Sequence, residues 1–402
     1  MNQLSGPRRR QGVWEMPVHH MRGGTSTGLV IWDRAAPADL AAREELLRHL
    51  MGVPLAGELA GNRQITGLGR GPATSNKVFF CDVERAPEGP QLVSTLAQLA
   101  ADHARIDWSV NCGNMSSALQ AWALDTGLVP WGAPGPQVVR IRNTNTGVLT
   151  TSRMQGSRDD GFASAEIPGV AGRWPAVDLF LHDPVGAKTG KLLPTGSPCD
   201  VIEGVAVSCV DVAVPMVIAR AADFGKTAHE GIRELAADAE FMQRLKTVWV
   251  EAGLRMGLRR KDGTPMSRED IARSETIPKV CIIGEPRAQA DLAVRYFTPQ
   301  TVHGSMAVSG GCCLAAATLI PGTVAHGIAP KPVGTRGEIP VDIENPAGIL
   351  STVVEAERAG DTLRIHSAAY QRSTQILLAG TVPLYNASAA LVAALEQVAA
   401  AR

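Results

Sequence analysis

The sequence predicts an α+β protein built from two homologous halves, each with strands around one buried helix. Two motifs recur about 200 residues apart, which indicates an internal repeat. A Lys-Val strand motif occurs at Thr74–Cys81 and again at Thr276–Ile283. A small-residue turn opens an Ala-rich stretch at Asn111–Leu124 and again at Val308–Ile320. Because these two stretches carry almost no charge, each predicts a helix that is surrounded by protein.

Residue composition predicts further elements in each half. Strands are predicted at Lys77–Cys81, Val138–Arg142, Val205–Val214 and Val353–Ala356. The two central helices are predicted at Ser116–Leu128 and Cys312–Ile320, and surface helices at Asp39–Met51, Gly231–Ala252 and Ala387–Arg402. Turn residues fill Lys188–Pro198, which we expect to join the halves. The predicted domains are therefore residues 1–190, completed by 383–402, and residues 191–382.

Composition excludes several classes of protein. The 402 residues are 45% hydrophobic, enough for sizeable cores, and 39 basic residues balance 39 acidic ones. We therefore expect no nucleic-acid partner, because the chain lacks the basic excess of such proteins. The seven cysteines show no CxxC spacing and the nine histidines no HExxH pair. We expect no metal, no other cofactor, no disulfide framework and a reducing, cytoplasmic location.

Two segments raise the question of a membrane. Arg8–Arg10 precedes the string QGVWEMPVHH, which lacks the apolar core of a signal peptide. Residues 296–330 contain no Asp, Glu, Lys or Arg, but polar residues and Pro321 interrupt every apolar run before it reaches about 20 residues. We expect this segment to be protein interior, and we expect no membrane partner.

The string Gly24-Thr25-Ser26-Thr27-Gly28 is compatible with two kinds of site. It matches the G-x-S-x-G elbow of serine hydrolases, with Ser26 as nucleophile, but that elbow needs a helix after the serine and Leu29–Trp32 is strand-like. A glycine-rich turn that presents backbone N–H groups to an anion fits Met21–Gly28 better. A simple tight turn is the remaining interpretation.

Cys112 is the residue that most strongly suggests chemistry. It stands in Asn111-Cys112-Gly113-Asn114 just before a predicted helix, where backbone N–H groups and the helix dipole stabilise a thiolate. Gly113 and Asn114 let a carboxylate approach the same helix end. Lys77 lies in the repeated motif upstream and is the second candidate. The alternatives are a buried structural cysteine and a solvated lysine.

From about Met16 to Val382 the chain resembles the PrpF family, which groups 2-methylaconitate isomerases, 4-oxalomesaconate tautomerases and methylitaconate isomerases. The motifs that carry the resemblance are Met21–Ser26, Thr74–Val78, Asn111–Asn114, Lys191–Gly196, Pro278–Val280 and His303–Ala317. The resemblance implies a diaminopimelate-epimerase-like fold. It consists of two β-rich, barrel-like domains related by a pseudo-twofold axis, each wrapped around a central helix, with the substrate in the cleft between them.

The resemblance also implies roles for individual residues. Lys77 and Cys112 correspond to the catalytic lysine and cysteine of the family. The matching motifs place ten further residues at the substrate: Arg22, Gly23, Thr25, Ser26, Ser75, Gly113, Asn114, Lys279, Ser309 and Gly310. Cys312 and Cys313 fall inside the second central helix and are expected to be packing residues.

Three departures from the family pattern bear on the substrate. Thr27 replaces the lysine of RGGTSKG, which removes a possible contact to a carboxylate. Asn345–Gly348 reads Asn-Pro-Ala-Gly where the family has His-Pro-Ser-Gly. Arg372–Gln375 reads Arg-Ser-Thr-Gln where the family has Arg-Thr-Ala-Arg. None of these changes involves Lys77 or Cys112.

The expected reaction is a cofactor-independent shift of a double bond in a small unsaturated di- or tricarboxylate, by an allylic 1,3-proton shift or a keto-enol tautomerisation. A racemase or epimerase of the same fold is an alternative, but it needs a second acid/base group, and the matching position in the other half reads Ala307-Val308-Ser309. A non-catalytic carboxylate-binding protein is another alternative. The resemblance also suggests a homodimer.

Overall fold

The computed structural model describes residues 4–71, 75–87, 89–260, 262–360 and 362–401. Thr74 of the first repeated motif and Arg402 of the last predicted helix lie outside these ranges. The described residues form two compact units. The first unit runs to Glu166 and adds Val170–Leu179 and the chain from Arg372 onward, and the second contains Ile167–Gly169 and Phe180–Gln371. The turn segment Lys188–Pro198 belongs to the second unit.

The described residues up to Ile167 form ten strands and three α-helices. They are β1 (Arg8–Arg10), β2 (Val13–Gly23), β3 (Ser26–Trp32), α1 (Leu40–Met51), β4 (Lys77–Ala86), β5 (Gly89–Leu99), β6 (Ile106–Asp107), α2 (Gly113–Ser116), α3 (Leu119–Asp125), β7 (Gly135–Asn143), β8 (Leu149–Ser157), β9 (Gly161–Phe162) and β10 (Ser164–Ile167). β11 (Val170–His182) and β20 (Thr362–Leu384) contribute residues to both units. The last helix, α8 (Ala389–Ala400), returns to the first unit.

The second unit contains the remaining elements. They are β12 (Asp200–Ile202), β13 (Val205–Val212), β14 (Val214–Arg220), α4 (Ile232–Ala237), α5 (Ala239–Arg255), α6 (Arg268–Arg273), β15 (Lys279–Gly284), β16 (Leu292–Thr298), β17 (Thr301–Val302), α7 (Val308–Thr318), β18 (Gly337–Asn345) and β19 (Gly348–Ala359). These strands and helices, with those of the first unit, confirm the α+β class.

Both units repeat one strand order. In the first, β2 and β3 are antiparallel, β3 and β4 parallel, β4 and β5 antiparallel, β5 and β7 parallel, and β7 and β8 antiparallel. In the second, β13, β14, β15, β16, β18 and β19 pair in the same alternation. The repeated lysines, Lys77 and Lys279, are the first residues of the matching strands β4 and β15. The topology thus confirms the internal repeat inferred from the sequence.

A buried helix occupies the matching place in each unit. α7 is buried at every position from Gly310 to Thr318 and packs on β13, β14, β18 and β19. In the first unit, Met115 of α2 and Leu119 and Trp122 of α3 pack in one cluster with Met21 and Phe79 of the sheet. Helices with few polar groups are stable only when protein covers them on all sides, as here.

Some predicted boundaries were wrong for local reasons. The predicted strand Val205–Val214 is a hairpin, because the chain reverses at Ala213, whose φ is +63°. The predicted helix Gly231–Ala252 is two helices, because the Asp238 side chain accepts the N–H of Phe241 and caps α5. The first central helix begins three residues earlier than Ser116 and is interrupted between α2 and α3.

The other predicted elements are present. α1 begins after Asp39, whose side chain accepts the N–H of Ala42, and ends at Gly52 in the left-handed conformation. The predicted strands at Lys77, Val138 and Val353 lie within β4, β7 and β19. Among the described residues, no helix combines the length and the apolar character that spanning a membrane requires.

Candidate active site

A tight hairpin between β2 and β3 packs on the start of α2. Gly23 pairs with Ser26 across the hairpin, and Gly24 has a φ of +52°, which favours glycine. A Cβ on Gly23 would lie 2.4 Å from the carbonyl oxygen of Asn114, and one on Gly24 would lie 2.3 Å from Oδ1 of Asn114. Only glycine therefore lets the hairpin approach the residues that follow Cys112 so closely.

Cys112 is the N-cap of α2. Its Sγ accepts the N–H of Met115 at 3.5 Å, and its own N–H donates to Oδ1 of Asn111 at 2.7 Å. The residue is half-buried. A sulfur at this position meets the first N–H groups of the helix, which have no partner within the helix and which stabilise negative charge. The helix start predicted for Cys112 is thus present.

Lys77 is a buried lysine beside Cys112. It is 4% exposed, at the first position of β4, where it pairs with Gly28 of β3. Burial lowers the pKa of Lys77, and the negative charge of a Cys112 thiolate opposes this shift. Phe79, two residues along β4, belongs to the cluster around α2 and α3, so alternation along the strand turns Lys77 to the same face. Ser75 is half-buried just before this strand.

Asn114 joins two other side chains of the first unit. Its Nδ2 donates to Oγ1 of Thr25 at 3.2 Å, and its Oδ1 accepts from Nε of Arg372 at 3.0 Å. Arg372 is buried. Arg372 is not among the site residues predicted from the sequence, although the Arg372–Gln375 motif departs from the family pattern. Its role follows from a contact between positions 258 residues apart, which no local pattern shows.

Two predicted residues of this unit have other surroundings. Ser26 is the first residue of β3 rather than the start of a helix, so it does not lie in the strand–turn–helix elbow of a serine hydrolase. Arg22 alternates with Gly23 along β2, and Gly23 contacts α2, so Arg22 faces the other side of the sheet. The structure brings together Gly23, Thr25, Lys77, Cys112, Gly113 and Asn114, while Nη1 of Arg22 donates to the carbonyl oxygens of Gly24 and Ser373.

The matching elements of the second unit hold Lys279, Ser309 and Gly310. Lys279 is half-buried, and burial lowers its pKa. A Cβ on Gly310 would lie 2.5 Å from the ring of Tyr296, so this glycine is required for packing. His303, whose pKa burial lowers, accepts the N–H of Ser305 at 2.9 Å. Cys312 and Cys313 are fully buried in α7.

Among the described residues, no group of three or more His, Cys, Asp or Glu side chains lies close enough together to hold a metal ion. Asp107, two strands from Lys77 in the sheet, accepts the N–H and the hydroxyl of Ser109. The expectation that no metal takes part stays a prediction.

We expect iodoacetamide to modify Cys112 faster than any of three other cysteines near neutral pH. Cys312 and Cys313 are fully buried, whereas Cys112 is half-buried at a helix start. Cys199 is the matched control, because it is also half-buried but burial raises its pKa. Peptide mass mapping over time measures the four rates. Labelling of Cys199 as fast as Cys112 would contradict a specially reactive Cys112.

Comparison with known proteins covers nearly the whole chain. Residues 13–385 match the family described as PrpF protein. The (4E)-oxalomesaconate Delta-isomerase of Novosphingobium sp. is 31% identical over 377 residues, which are 94% of this chain and 99% of that protein. The 4-oxalomesaconate tautomerase of Pseudomonas putida is 32% identical over 376 residues, which are 92% of this chain and 96% of that protein.

A solved structure shares the fold. The crystal structure of methylitaconate-delta-isomerase is 25% identical, has a TM-score of 0.79 and covers 97% of this chain and 98% of its own. The predicted fold class is therefore confirmed, and these relatives are named as isomerases or tautomerases. The chain is an isomerase, and it belongs to the PrpF family.

Proposed function

We propose that this isomerase moves a carbon–carbon double bond in a small unsaturated di- or tricarboxylate, and that Lys77 and Cys112 carry the protons. The observation that supports this most is the pairing of a buried lysine with a cysteine at a helix start. Relatives that act on oxalomesaconate and methylitaconate, as their names state, support the substrate class.

The chemistry requires two proton-transfer groups and a place for negative charge. A carboxylate or carbonyl conjugated with the double bond acidifies an allylic C–H, one group removes that proton, and the other protonates the far carbon of the three-carbon unit. A lysine acts as a base only when neutral. Burial lowers the pKa of Lys77 and so favours its neutral form. The enolate-like oxygen of the intermediate needs hydrogen-bond donors, for which the first-turn N–H groups of Gly113 and Asn114 are suited.

The remaining predicted substrate-binding residues keep that role in the proposal, except Arg22. In the first unit they are Gly23, Thr25, Ser26, Ser75, Gly113 and Asn114, and in the second they are Lys279, Ser309 and Gly310. A homodimer and a cytoplasmic location also stay predictions. Light scattering measures the oligomeric state.

The test is a panel of aconitate, 2-methylaconitate, methylitaconate and 4-oxalomesaconate, each followed by NMR in D₂O. We expect one of them to be converted to its double-bond isomer, with deuterium incorporated at an allylic carbon. Inversion of a stereocentre without movement of a double bond would instead support the racemase alternative. Binding without any exchange on every acid would support a non-catalytic protein.

Arg372→Met is expected to raise KM by about tenfold or more, because hydrogen bonds to charged groups contribute about 1.5–3 kcal/mol. Without Nε of Arg372, the Asn114 amide loses the contact that orients it towards Thr25. Steady-state kinetics with the substrate found above measure the change.

A double variant separates this positioning role from general damage. If Arg372 acts through Asn114, adding Arg372→Met to Asn114→Ala should lower kcat/KM no further than Asn114→Ala alone. Fully additive losses in the double variant would contradict the positioning role.

A further inference from the structure

Three side chains form a row on the sheet face that turns away from α2. Thr27 of β3 lies opposite Arg22 of β2, and Arg22 lies opposite Gln375 of β20. Residues directly opposite in antiparallel strands project to the same face. Gly23, the neighbour of Arg22, contacts the backbone of α2. The row is therefore on the other side of the sheet from Cys112.

Arg22 is a buried cation held in one orientation. It is 9% exposed, and burial alone lowers its pKa, without a contribution from any acidic residue in the described part of the chain. Its Nη1 donates to the carbonyl oxygens of Gly24 and Ser373, both at 3.0 Å, and to Oγ of Ser373 at 3.2 Å. These three acceptors fix the plane of the guanidinium.

The opposite edge of the guanidinium is unused. Nε and Nη2 of Arg22 are buried and have no hydrogen-bond partner among the described residues, and the same holds for Oγ1 of Thr27 in the same row. Buried charges in proteins are normally paired, because an unpaired charge out of water is costly. The Nε–Nη2 edge matches the two oxygens of a carboxylate. An anion with two coplanar oxygens would therefore fit this edge.

A cavity with aromatic walls lies behind Trp174 and Gln375, two lining residues that neighbour Arg22; Arg22 and Thr27 are not themselves among its described lining residues. The cavity measures about 1090 Å³, and its lining includes Gln375, Trp174, Trp131 and Phe162. The Trp131 and Phe162 rings stack with centroids 4.9 Å apart, and the Trp174 ring lies 5.7 Å from the Arg22 guanidinium carbon. Trp174 thus contacts both the guanidinium and the cavity.

Charge in the cavity supports the same ligand. Its two charged lining residues, Arg158 and Asp125, have opposite signs, and Oδ2 of Asp125 lies 3.7 Å from Nε2 of His19. Arg22, one layer behind this lining, is a positive charge for which no acidic partner is found among the described residues. Flat aromatic walls favour a planar ring by stacking.

We propose that this cavity of the first unit binds an aromatic carboxylate, in a site separate from Lys77 and Cys112. The carboxylate pairs with Nε and Nη2 of Arg22 and accepts the Thr27 hydroxyl, while the ring contacts Trp131 and Phe162. Trp174 turns aside to expose the guanidinium. On this view Thr27, which replaces the family lysine, has a neutral hydroxyl that leaves the Arg22 charge for the ligand.

Calorimetric titration of the full chain with benzoate tests the proposal. We expect saturable binding at least about tenfold tighter than that of benzamide, which lacks the charge, or of cyclohexanecarboxylate, which lacks the planar ring. Tryptophan fluorescence should change on binding, and Trp174→Phe should reduce that change. Tricarballylate, an aliphatic tricarboxylate, should not displace benzoate.

Three variants check the contacts. Thr27→Val keeps the side-chain shape and removes a hydroxyl that has no partner, so it should fold normally and bind benzoate about tenfold more weakly. Phe162→Ala should also weaken binding while leaving the contacts of Arg22 intact. Arg22→Lys should weaken it at least about tenfold, because lysine lacks the two-donor edge. Arg63→Met, at an exposed arginine, is the control.

The proposal is overturned if benzoate does not bind, or binds no better than benzamide. It is also overturned if folded Thr27→Val and Phe162→Ala bind benzoate as tightly as the parent chain. Displacement of benzoate by tricarballylate would assign the anion contact to the substrate site instead. Circular dichroism shows whether each variant is folded. If Arg22→Lys is not folded, the benzoate affinities of Thr27→Val and Phe162→Ala test the proposal.

Discussion

Cys112→Ala and Lys77→Met are each expected to lower kcat about 10²- to 10⁴-fold, the usual contribution of a positioned acid or base. Both groups are needed because an allylic shift removes a proton at one carbon and returns it at another. Lys77 is buried and Cys112 caps α2, so each is held in a fixed place. Steady-state assays on the substrate found by the D₂O panel measure the loss.

Deuterium exchange distinguishes the two roles. The variant that keeps the initial base should still wash deuterium from D₂O into recovered substrate, although it forms no product. Cys199→Ala, at a half-buried cysteine whose pKa burial raises, is the matched control and should keep full activity. Retention of more than about a tenth of kcat by either active-site variant corresponds to a loss below about 1.4 kcal/mol, too small for an essential acid or base.

The stability of Lys77→Met shows whether lost activity reflects lost folding. Burial lowers the pKa of Lys77 in the folded chain, so between the folded value and the unfolded value the unfolded chain binds more protons. The free energy of unfolding therefore rises with pH across that window and is lowest below it. Methionine removes the buried charge, so at neutral pH the variant should unfold in urea at an equal or higher concentration than the parent. A clearly lower midpoint would mean that Lys77 contributes to stability.

The sequence predicted those features that depend on neighbouring residues. The N-cap position of Cys112, the start of β4 at Lys77 and the two central helices with few charges all follow from short motifs, and the repeat followed from the spacing of those motifs. Features that depend on contacts between residues far apart in the sequence could not be predicted. Arg372 reaches Asn114 only because β20 pairs with β2.

The sheet face to which a side chain projects and the points where the chain reverses were also hard to predict. The motif Met21–Ser26 suggested that Arg22 and Thr25 act at one place, but alternation along β2 sends Arg22 to the other side of the sheet. The reversal at Ala213 has no glycine or asparagine to mark it, and Pro215 comes only after it, so an apolar run that contained a reversal was predicted as one strand.

Gly23→Ala is expected to lower both stability and activity, since the added methyl group has no room. Its Cβ would lie 2.4 Å from the Asn114 carbonyl oxygen and 2.9 Å from Cα of Met115. Both atoms belong to the backbone of α2, so no side-chain rotation relieves the clash, and overpacking of this kind costs about 1–3 kcal/mol. We expect the free energy of unfolding, measured by urea denaturation, to be lower by that amount.

The kcat of Gly23→Ala should fall even under conditions where the variant is fully folded. The clash pushes on the two residues that follow Gly113, so relief of the strain displaces the N-cap at Cys112, and small displacements of a catalytic group cost about 10²-fold. Gly334→Ala is the control, because a Cβ there meets nothing within 4 Å and the backbone is not left-handed. We expect the control to match the parent in both measurements. If Gly23→Ala kept full kcat under conditions where it is folded, the close contact between the hairpin and α2 would not set the position of Cys112.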